Sequence, residues 1–399
     1  MTELRLIPAA SSAAFLDADR PLRRLPRAPR RPRPPEFHAR FEDRALWYDC
    51  FWDHDGTRIL LCGPPPMNLA PLLRRAQYLA LPSRTPLRPA FHRSLSTMIT
   101  ALDGAPAGTT AVAVTLEGQQ FELPVQPSHA AELAGRRVLF TMSRDNDLAW
   151  IAEWARWHAA LHGTDAVVLF DNGSTRYAVG EIEETLLGVP GIARVAVPSW
   201  PHGFGPIDPA VKKDPYWSRF LQIASMSVTL RRFGALAHGL LNSDIDELSA
   251  TRSGRSLYDL ARESRGGLVV YRGTWIEPVA ATPAAGQPLA HRQFGNRALD
   301  PKRAASRQRK WTLDPSRPWV QRLSVHPYWH WIEGRSLFAK SMPDDAHYWH
   351  FRGINTNWKE QRTATADTAL EPDPQLRQAF AAAGMSDTED EVVSGPPDL

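Results

Sequence analysis

The chain has few of the features that identify disulfide-stabilised, membrane-spanning or P-loop proteins. It contains two cysteines in 399 residues, too few for a disulfide framework. No stretch approaches the roughly 20 consecutive apolar residues of a membrane-spanning helix. The sequence has neither a G-x-x-x-x-G-K-[ST] loop nor a G-x-G-x-x-G turn, which disfavours NTPases and dinucleotide-dependent oxidoreductases. Because the N-terminal stretch is weakly apolar and interrupted by Pro8, we expect no cleaved signal peptide and a cytoplasmic location.

The two cysteines flank a predicted β-hairpin. Strands over Trp47–Trp52 and Thr57–Cys62 would turn at Asp55-Gly56. We expect this pairing to place Cys50 near Ile59, so that the two sulfur atoms do not face each other. The sequence therefore predicts two buried free thiols.

Lysine is scarce, whereas arginine is abundant. Only six of the 47 basic residues are lysine, and the formal net charge is +4. Such a small excess of positive charge does not identify a nucleic-acid-binding protein, and we expect no nucleic-acid partner.

Residues 1–36 differ in composition from the rest of the chain. Between Arg20 and Pro35 the sequence is rich in Arg and Pro and has no acid. Proline at this density opposes helix and strand ladders, and like charges extend a chain, so we predict a disordered arm. The arm would be either a solvated linker or a peripheral electrostatic contact with an anionic membrane, at its inner face, or with an anionic polymer.

Two further regions and a tail follow the arm. Residues 37–130 contain short apolar runs separated by turn signals, which is typical of a small β-rich accessory domain. Residues 135–362 alternate strand and helix patterns, which predicts an α/β fold with a mostly parallel central sheet. Residues 363–399 predict a short helix followed by an acidic, mobile tail.

The predicted strands of the α/β region end in polar clusters. Strands over 137–142, 166–170, 193–197 and 237–241 alternate with helices over 147–162, 176–187 and 216–233. The second strand leads into Asp171, and the fourth into Asn242-Ser243-Asp244-Ile245-Asp246-Glu247. Ligands of such sheets bind outside the carboxyl ends of the strands, so these clusters mark the candidate site.

Asp244 and Asp246 are the leading candidates for chemistry. Two carboxylates one residue apart at a strand end can converge with a third group on a hard divalent cation. Mg²⁺ or Mn²⁺ held there could bridge the phosphates of a nucleotide diphosphate and neutralise it as a leaving group. In the alternative interpretation, Asp246 or Glu247 caps a following helix and Asp244 is a solvated strand-end residue.

Several motifs resemble family-2-like and family-92-like glycosyltransferases. They are Arg144-Asp145-Asn146-Asp147, Trp150-Ile151-Ala152-Glu153-Trp154 with His158, Asp171-Asn172-Gly173-Ser174, and Asp244-Ile245-Asp246-Glu247. Asp147 stands where these families commonly have Glu. The likeness is close over 137–248 and looser through Lys310-Trp311, His326-Pro327 and Tyr348-Trp349-His350-Phe351-Arg352, and the first 130 residues lie outside it. It implies a GT-A fold, a nucleotide diphosphate sugar donor and a divalent metal.

The resemblance and the residue chemistry together suggest roles for individual side chains. The expected nucleotide-sugar contacts are Asn146, Asp147, Asp171, Asp244, Lys310 and Arg352. The two cations would clamp the diphosphate, whereas Asn146 and Asp147 are equally well explained by helix capping and Asp171 by an Asx-turn.

The expected metal ligands are Asp244, Asp246 and His350, with His326 as the competing histidine. An imidazole ligand suits Mn²⁺ better than it suits Mg²⁺.

Transfer with inversion also requires a general base near the acceptor hydroxyl. Glu277, at the end of an apolar strand, is the first candidate, followed by Asp344 and Asp345. If no acid lay near the sugar, a retaining outcome would be favoured.

The sequence therefore predicts a metal-dependent glycosyltransferase. It would move a sugar from a nucleotide diphosphate sugar to a saccharide or other acceptor, in cell-surface polysaccharide or glycoconjugate synthesis. The alternative is an anionic-polymer-binding or scaffolding protein with an inert GT-A-like domain. A metal-dependent phosphoester hydrolase would usually need more histidines and acids at the strand ends.

Overall fold

One large mixed β-sheet and several small antiparallel sheets form the fold of residues 4–206, 218–283, 289–356 and 368–385, which the computed structural model describes. The strands are β1 (Arg5–Leu6), β2 (Ala14–Phe15), β3 (Ala45–Trp47), β4 (Asp49–Trp52), β5 (Arg58–Gly63), β6 (Gln77–Leu81), β7 (Thr85–Pro86), β8 (Arg88–Arg93), β9 (Met98–Asp103), β10 (Ala111–Leu116), β11 (Gln119–Pro124), β12 (Arg137–Ser143), β13 (Ala166–Asp171), β14 (Arg194–Ala196), β15 (Gly239–Asn242), β16 (Glu247–Thr251), β17 (Leu268–Ile276), β18 (Asn296–Ala298), β19 (Ala305–Leu313), β20 (His326–Pro327), β21 (Ile332–Glu333), β22 (Lys340–Ser341), β23 (Ala346–Phe351) and β24 (Leu370–Pro372). The α-helices are α1 (Pro35–Arg40), α2 (Ala70–Arg75), α3 (Leu148–His162), α4 (Val179–Leu187), α5 (Phe220–Val228), α6 (Leu257–Glu263), α7 (Pro301–Ala304) and α8 (Pro374–Ala382). Short 3₁₀ turns cover Met67–Leu69 and His291–Gln293, and a π-helical turn covers Thr229–Phe233.

The central sheet contains ten strands. Nine of them run in the order β1-β14-β13-β12-β15-β19-β17-β23-β16, and β22 pairs with β17. The five strands from β1 to β15 in this order are parallel, β19 is antiparallel to both of its neighbours, and β16 is antiparallel to β23. The predicted α/β class with a mostly parallel central sheet is therefore confirmed.

The strand order reverses beside β12. From β12 the chain moves outward through α3 to β13 and through α4 to β14, and it later adds β15 on the other side of β12. In open α/β sheets, a crevice forms outside the carboxyl ends of the strands where the order reverses. The segments that follow β12 and β15 therefore border this crevice.

Alternate side chains of the central strands fill two cores. On β13, Val168 and Phe170 join one core, whereas Val167 and Leu169 join the other. Strands buried on both faces have continuous rather than alternating apolar runs, which is the pattern of β13 in the sequence. On the second face, Phe380 of α8 packs edge-on against Trp157 of α3, with ring centroids 4.9 Å apart.

Two four-stranded antiparallel sheets precede the α/β region, in the orders β4-β5-β9-β8 and β11-β10-β6-β7. The turn between β10 and β11 has positive φ angles at Glu117 (47°) and Gly118 (71°), as a tight two-residue hairpin requires. Phe51 and Leu60 pack into the same core as α5. The β-rich region and the central sheet therefore share part of one core.

The hairpin around the cysteines forms, but its predicted register is wrong. Cys50 lies opposite Leu61, and Trp52, rather than Cys50, lies opposite Ile59. The observed pairs are symmetrical about the bond between residues 55 and 56. The partner of Cys50 is therefore shifted by two residues from the predicted Ile59 to Leu61. Both thiols are buried and free, as predicted.

The predicted disordered arm is wrong for the residues that the structure describes. β1 extends the central sheet beside β14, and β2 pairs with β3. Arg24 is buried, and its guanidinium donates to the carbonyl oxygens of Pro65, Glu42 and Ala45. Proline does prevent long regular elements here, but the Arg24 guanidinium fixes the segment by donating to three backbone carbonyls.

The C-terminal residues include α8, and the predicted mobile tail at 386–399 lies outside the described residues. None of the described helices is both long enough and apolar enough to cross a membrane.

Candidate metal centre

The turn after β15 presents two of the predicted acids. β15 ends at Asn242, and the backbone then turns so that the Glu247 amide donates to the Asp244 carbonyl oxygen at 3.0 Å. The alternative interpretation required a helix directly after this turn, capped by Asp246 or Glu247. Instead, strand β16 begins at Glu247. Asp244 and Asp246 therefore lie at the carboxyl end of β15, beside the reversal of strand order.

Three neighbouring strands bring distant residues to this turn. Glu247 on β16 lies opposite His350 on β23, and His350 in turn lies opposite Trp275 on β17. Paired residues of adjacent strands project from the same face of a sheet, with Cβ atoms about 5 Å apart. The register of β23 thus fixes the position of His350.

Asp246, Glu247 and His350 form a cluster that could hold a metal ion. Their ligand atoms all lie within 4.8 Å of one another. His350 Nε2 is 3.0 Å from Asp246 Oδ2, and His350 Nδ1 is 3.7 Å from Glu247 Oε1. The side chain of Asp246 is 19% exposed, against 4% for His350 and 1% for Glu247, so Asp246 forms the open side of the cluster. Two oxygens and an imidazole nitrogen fit a divalent cation such as Mn²⁺.

Lys310 lies between two of the acids and is completely buried. Its Nζ atom is 2.9 Å from Asp244 Oδ2 and 2.6 Å from Glu247 Oε2. Burial alone would lower the pKa of Lys310, but the two carboxylates raise it well above its ordinary value. Lys310 is therefore a permanent internal cation, and its position is not that of the diphosphate clamp that we predicted.

Asp244 is consequently separate from the metal cluster. In addition to Lys310, its carboxylate accepts a hydrogen bond from Gln222 Nε2 at 3.4 Å. Asp244 is not part of the three-residue cluster, and its carboxylate contacts the Lys310 ammonium, so direct metal binding by Asp244 stays a prediction. Its side chain is 29% exposed, so it can still face a ligand in the crevice.

Glu247 is the residue that sequence reasoning left out of the site. One of its carboxylate oxygens binds Lys310, and the other, Oε1, is buried and has no hydrogen-bond partner among the described residues. Burial raises the pKa of Glu247, while the Lys310 ammonium opposes that rise. The signal in the sequence was its place directly after Asp246, at the start of an edge strand.

An aromatic and cationic group continues the site along β17 and β23. The Trp275 ring stacks on His350 with centroids 3.9 Å apart and an interplanar angle of 20°. The Arg352 guanidinium carbon lies 4.3 Å from the centroid of the Trp275 ring, and Arg352 Nε is 3.4 Å from Glu277 Oε1. The structure therefore brings the candidates Arg352 and Glu277 together with His350, through a tryptophan that the sequence analysis had not selected.

Asp344 and Asp345 do not join this group. They precede β23, whereas His350 lies near its other end, and five residues of extended strand span about 17 Å. Asp345 accepts hydrogen bonds from the amide and hydroxyl of Ser253 at 2.8 and 2.6 Å, and the Asp344 carbonyl accepts from Arg252. Both acids hold a surface turn, and neither is positioned to act as the general base.

The predicted nucleotide contacts at β12 and β13 are used within the protein. Asp147 caps α3 by accepting from the Ala149 amide at 3.1 Å, and Asn146 Nδ2 donates to Ser143 Oγ at 2.8 Å. Asp171 is buried and accepts from the amide and hydroxyl of Ser174 at 3.2 and 2.5 Å, which is the turn role considered for it.

A large cavity opens beside these residues. Its volume is about 1180 Å³, and it lies between the segment 34–44 and the loop 201–206, with Arg144, Asp145 and Arg219 also lining it. Phe37 and Phe41, whose rings stack at 5.6 Å, form part of the wall. The sequence analysis did not foresee this wall, because the residues that form it lie in the N-terminal region outside the resemblance.

His326, the competing histidine, lies elsewhere. It is buried, and burial together with the nearby Arg231 charge lowers its pKa to about 3. Another histidine, His330, lies close enough to Lys310 and Asp244 for both to affect it: burial and the Lys310 charge lower its pKa to about 4, and its Nδ1 bonds the Arg309 carbonyl at 2.8 Å.

Comparison with protein-family models and with curated proteins gives no match for this chain. The candidate function therefore depends on the geometry of the site and on the motifs in the sequence.

Proposed function

We propose that this protein is a metal-dependent glycosyltransferase that uses a nucleotide diphosphate sugar. The observation that carries the proposal is the Asp246–Glu247–His350 cluster at the carboxyl end of β15, where the strand order reverses. Metal-assisted diphosphate chemistry needs a divalent cation held by side chains such as carboxylates, and ligands of such sheets bind at the carboxyl ends of the strands. The glycosyltransferase-like motifs at 144–154, 171–174 and 244–247 support the same reaction class.

Asp246, Glu247 and His350 would hold the metal, and the imidazole favours Mn²⁺ over Mg²⁺. When bound, the cation would neutralise the negative charge of the departing diphosphate. Lys310 would not touch the donor; its ammonium would keep the carboxylates of Asp244 and Glu247 charged and fixed in place. Asp244, which is partly exposed, would then face the donor sugar or ribose.

Among the three acids considered as general base, Glu277 is the one near the cluster. In an inverting transfer the acceptor oxygen bonds to the anomeric carbon as the bond to the diphosphate breaks, and a base accepts the hydroxyl proton. Glu277 is connected to the cluster through Arg352 and Trp275. The cavity between segment 34–44 and the loop 201–206 is large enough for the nucleoside of the donor.

The test is isothermal titration of UDP and of GDP into the protein, with and without Mn²⁺. We expect binding that requires Mn²⁺, and we expect Asp246→Asn to weaken it by more than about tenfold. Asp345→Asn is the matched control, because it also neutralises one aspartate but lies at the far end of β23, and it should leave binding unchanged.

A donor panel of UDP- and GDP-sugars tests the reaction itself. Transfer joins the sugar to the acceptor and releases the nucleoside diphosphate, whereas hydrolysis between the two phosphates would release a nucleoside monophosphate and a sugar phosphate. Absence of Mn²⁺-dependent nucleotide binding, or equal binding by wild type and Asp246→Asn, would refute the proposed function.

A further inference from the structure

A surface loop between β21 and β22 exposes two large apolar side chains next to each other. Leu337 is 90% exposed and Phe338 is 79% exposed, more than any other large hydrophobic residue among those described, and Met342 beyond the loop is 36% exposed. Large apolar side chains exposed together at a loop tip cost solvation free energy and commonly mark an interaction surface. The loop therefore has a feature that folding of this chain does not use.

The base of the loop is packed, so its tip is presented from a fixed support. Ala339 is 2% exposed and lies so close to Gly266 that a Cβ on that glycine would approach its backbone to 2.1 Å. At the other end of the loop, Gly334 has a φ of +75° and packs closely against the Ser324 carbonyl. A Cβ atom on Gly334 would lie only 2.4 Å from that carbonyl oxygen. Lys340 pairs with Leu268 in the central sheet. These contacts hold the chain on both sides of Leu337 and Phe338.

Exposed cations belong to this loop and to the segments that pack against its base. Arg335 and Lys340 belong to the loop, Arg265 precedes Gly266, and Arg322 lies two residues before Ser324.

Three of the nearby carboxylates have partners within the protein. Glu263 pairs with Arg255, Asp345 accepts from Ser253, and Glu333 Oε2 accepts from the Leu95 amide at 3.3 Å. An apolar tip with exposed cations in and beside its loop matches the apolar interior and the anionic surface of a lipid bilayer.

We propose that the loop 334–340 binds anionic lipid membranes by inserting Leu337 and Phe338 among the acyl chains, with Arg335, Lys340, Arg265 and Arg322 against the headgroups. The apolar tip supplies burial and the cations supply attraction, and peripheral binding requires two such contributions. β17 begins beside this loop at Leu268 and reaches the metal cluster at Trp275, about 23 Å further along the strand. The candidate site would therefore face away from the membrane.

The test is sedimentation of the full chain with phosphatidylcholine vesicles that contain or lack phosphatidylglycerol. We expect the wild type to sediment with the anionic vesicles only, and the double variant Leu337→Ser/Phe338→Ser to lose at least about fivefold in bound fraction. Leu299→Ser is the matched control, since Leu299 is a 53% exposed leucine outside the loop, and it should bind as the wild type does. Arg335→Gln/Lys340→Gln should weaken binding and reduce its salt dependence.

Each contrary result overturns the proposal. If wild type does not sediment with anionic vesicles, or if the Leu337/Phe338 variant sediments equally well, the loop does not bind membranes. If Arg30→Gln removes binding instead, the N-terminal segment is responsible. If sedimentation velocity shows a dimer that only the loop variant disrupts, the loop binds a second copy. Thermal unfolding of each variant confirms that it is folded.

Discussion

Two of the places where this molecule buries charged side chains are built differently. Between the N-terminal sheets and the π-helical turn, Arg232 and Asp49 form an ion pair at 2.9 Å with side chains 1% and 0% exposed. Beside the strand reversal, Lys310 is equally buried, but one of its partners, Asp244, is 29% exposed. Both places satisfy a buried cation, yet only the second is open to solvent on one side.

The difference lies in what completes each group. Around the first pair the backbone supplies most of the remaining hydrogen bonds: Arg232 also donates to the carbonyls of Pro127 and Ala10, and Asp49 accepts from the amides of Ser12 and Cys50. Around Lys310 the hydrogen bonds pass to carboxylates that themselves border the Asp246–His350 group. An ion pair closed by backbone holds elements together, whereas a buried cation that orders partly exposed acids can position them for a ligand.

The largest effect should come from breaking the closed pair. Asp49→Asn leaves the Arg232 charge buried without a counter-charge, so we expect a loss of about 3–5 kcal/mol in the free energy of unfolding. The measurement is urea unfolding at pH 7, where the midpoint should fall with little change in slope. Nucleotide binding by the folded fraction should be unchanged.

The control is the double variant Asp49→Asn/Arg232→Met. Removing both charges should destabilise less than the sum of the single changes, because the buried unpaired charge is gone. Additive losses would show that the two side chains stabilise the fold independently and that they do not act as a closed pair.

Lys310→Met should be somewhat less destabilising at pH 7, because Asp244 can turn toward solvent. Its signature is the dependence on pH. Burial already raises the pKa of Glu247, and loss of the ammonium would raise it further, so protonation of Glu247 should relieve the variant as pH falls. The difference in unfolding free energy between wild type and variant should shrink from pH 8 to pH 5. A difference independent of pH would contradict the assigned contact.

Scaffold histidines should respond to pH in the opposite direction. Burial lowers the pKa of His162 to about 4, although its ring bonds the Ser249 carbonyl at 2.9 Å. In the unfolded chain His162 is protonated as pH falls below about 6.5, whereas in the folded chain it stays neutral until about pH 4. The neutral histidine therefore contributes to the free energy of unfolding above pH 6.5. This contribution is lost between pH 6.5 and pH 4, by at most about 3 kcal/mol.

His162→Gln should flatten the fall in stability between pH 6.5 and pH 4, whatever its effect at pH 7. Guanidinium unfolding at several pH values measures the slope. His158, whose pKa burial lowers to about 3, should keep part of the slope in the variant. An unchanged slope would show that His162 does not titrate as its burial requires.

The sequence predicted the elements that depend on local pattern. The apolar runs of β12 and β13 and the periodicity of α3 correspond closely to the observed elements. The turn with Asp244 and Asp246 was found because acids directly after an apolar strand lie at a sheet edge. His350 was selected from its resemblance to a family motif, and the pairing of β16 with β23 puts it beside Asp246.

The remaining features depend on contacts between distant segments. Lys310 looked like a surface cation suited to phosphate, but the antiparallel β19 buries it beside Glu247. Asp344 was a further candidate for the general base, yet it lies before β23 whereas His350 lies near the other end of that strand. In the N-terminal segment the composition indicated disorder, because it does not reveal that the Arg24 guanidinium binds three carbonyls. Strand register and side-chain partners decide these cases.

Asp147 gives the smallest and most local test, because the sequence left two roles open for it. Its side chain caps α3, so Asp147→Ala should reduce the free energy of unfolding by about 1 kcal/mol. If capping is its whole role, Mn²⁺-dependent nucleotide affinity should stay at the wild-type value, and Asp147→Ser should restore the stability because serine also caps. If nucleotide affinity falls in Asp147→Ser while stability is restored, the Asp147 carboxylate contacts the ligand. The start of α3 would then belong to the binding site as well as to the scaffold.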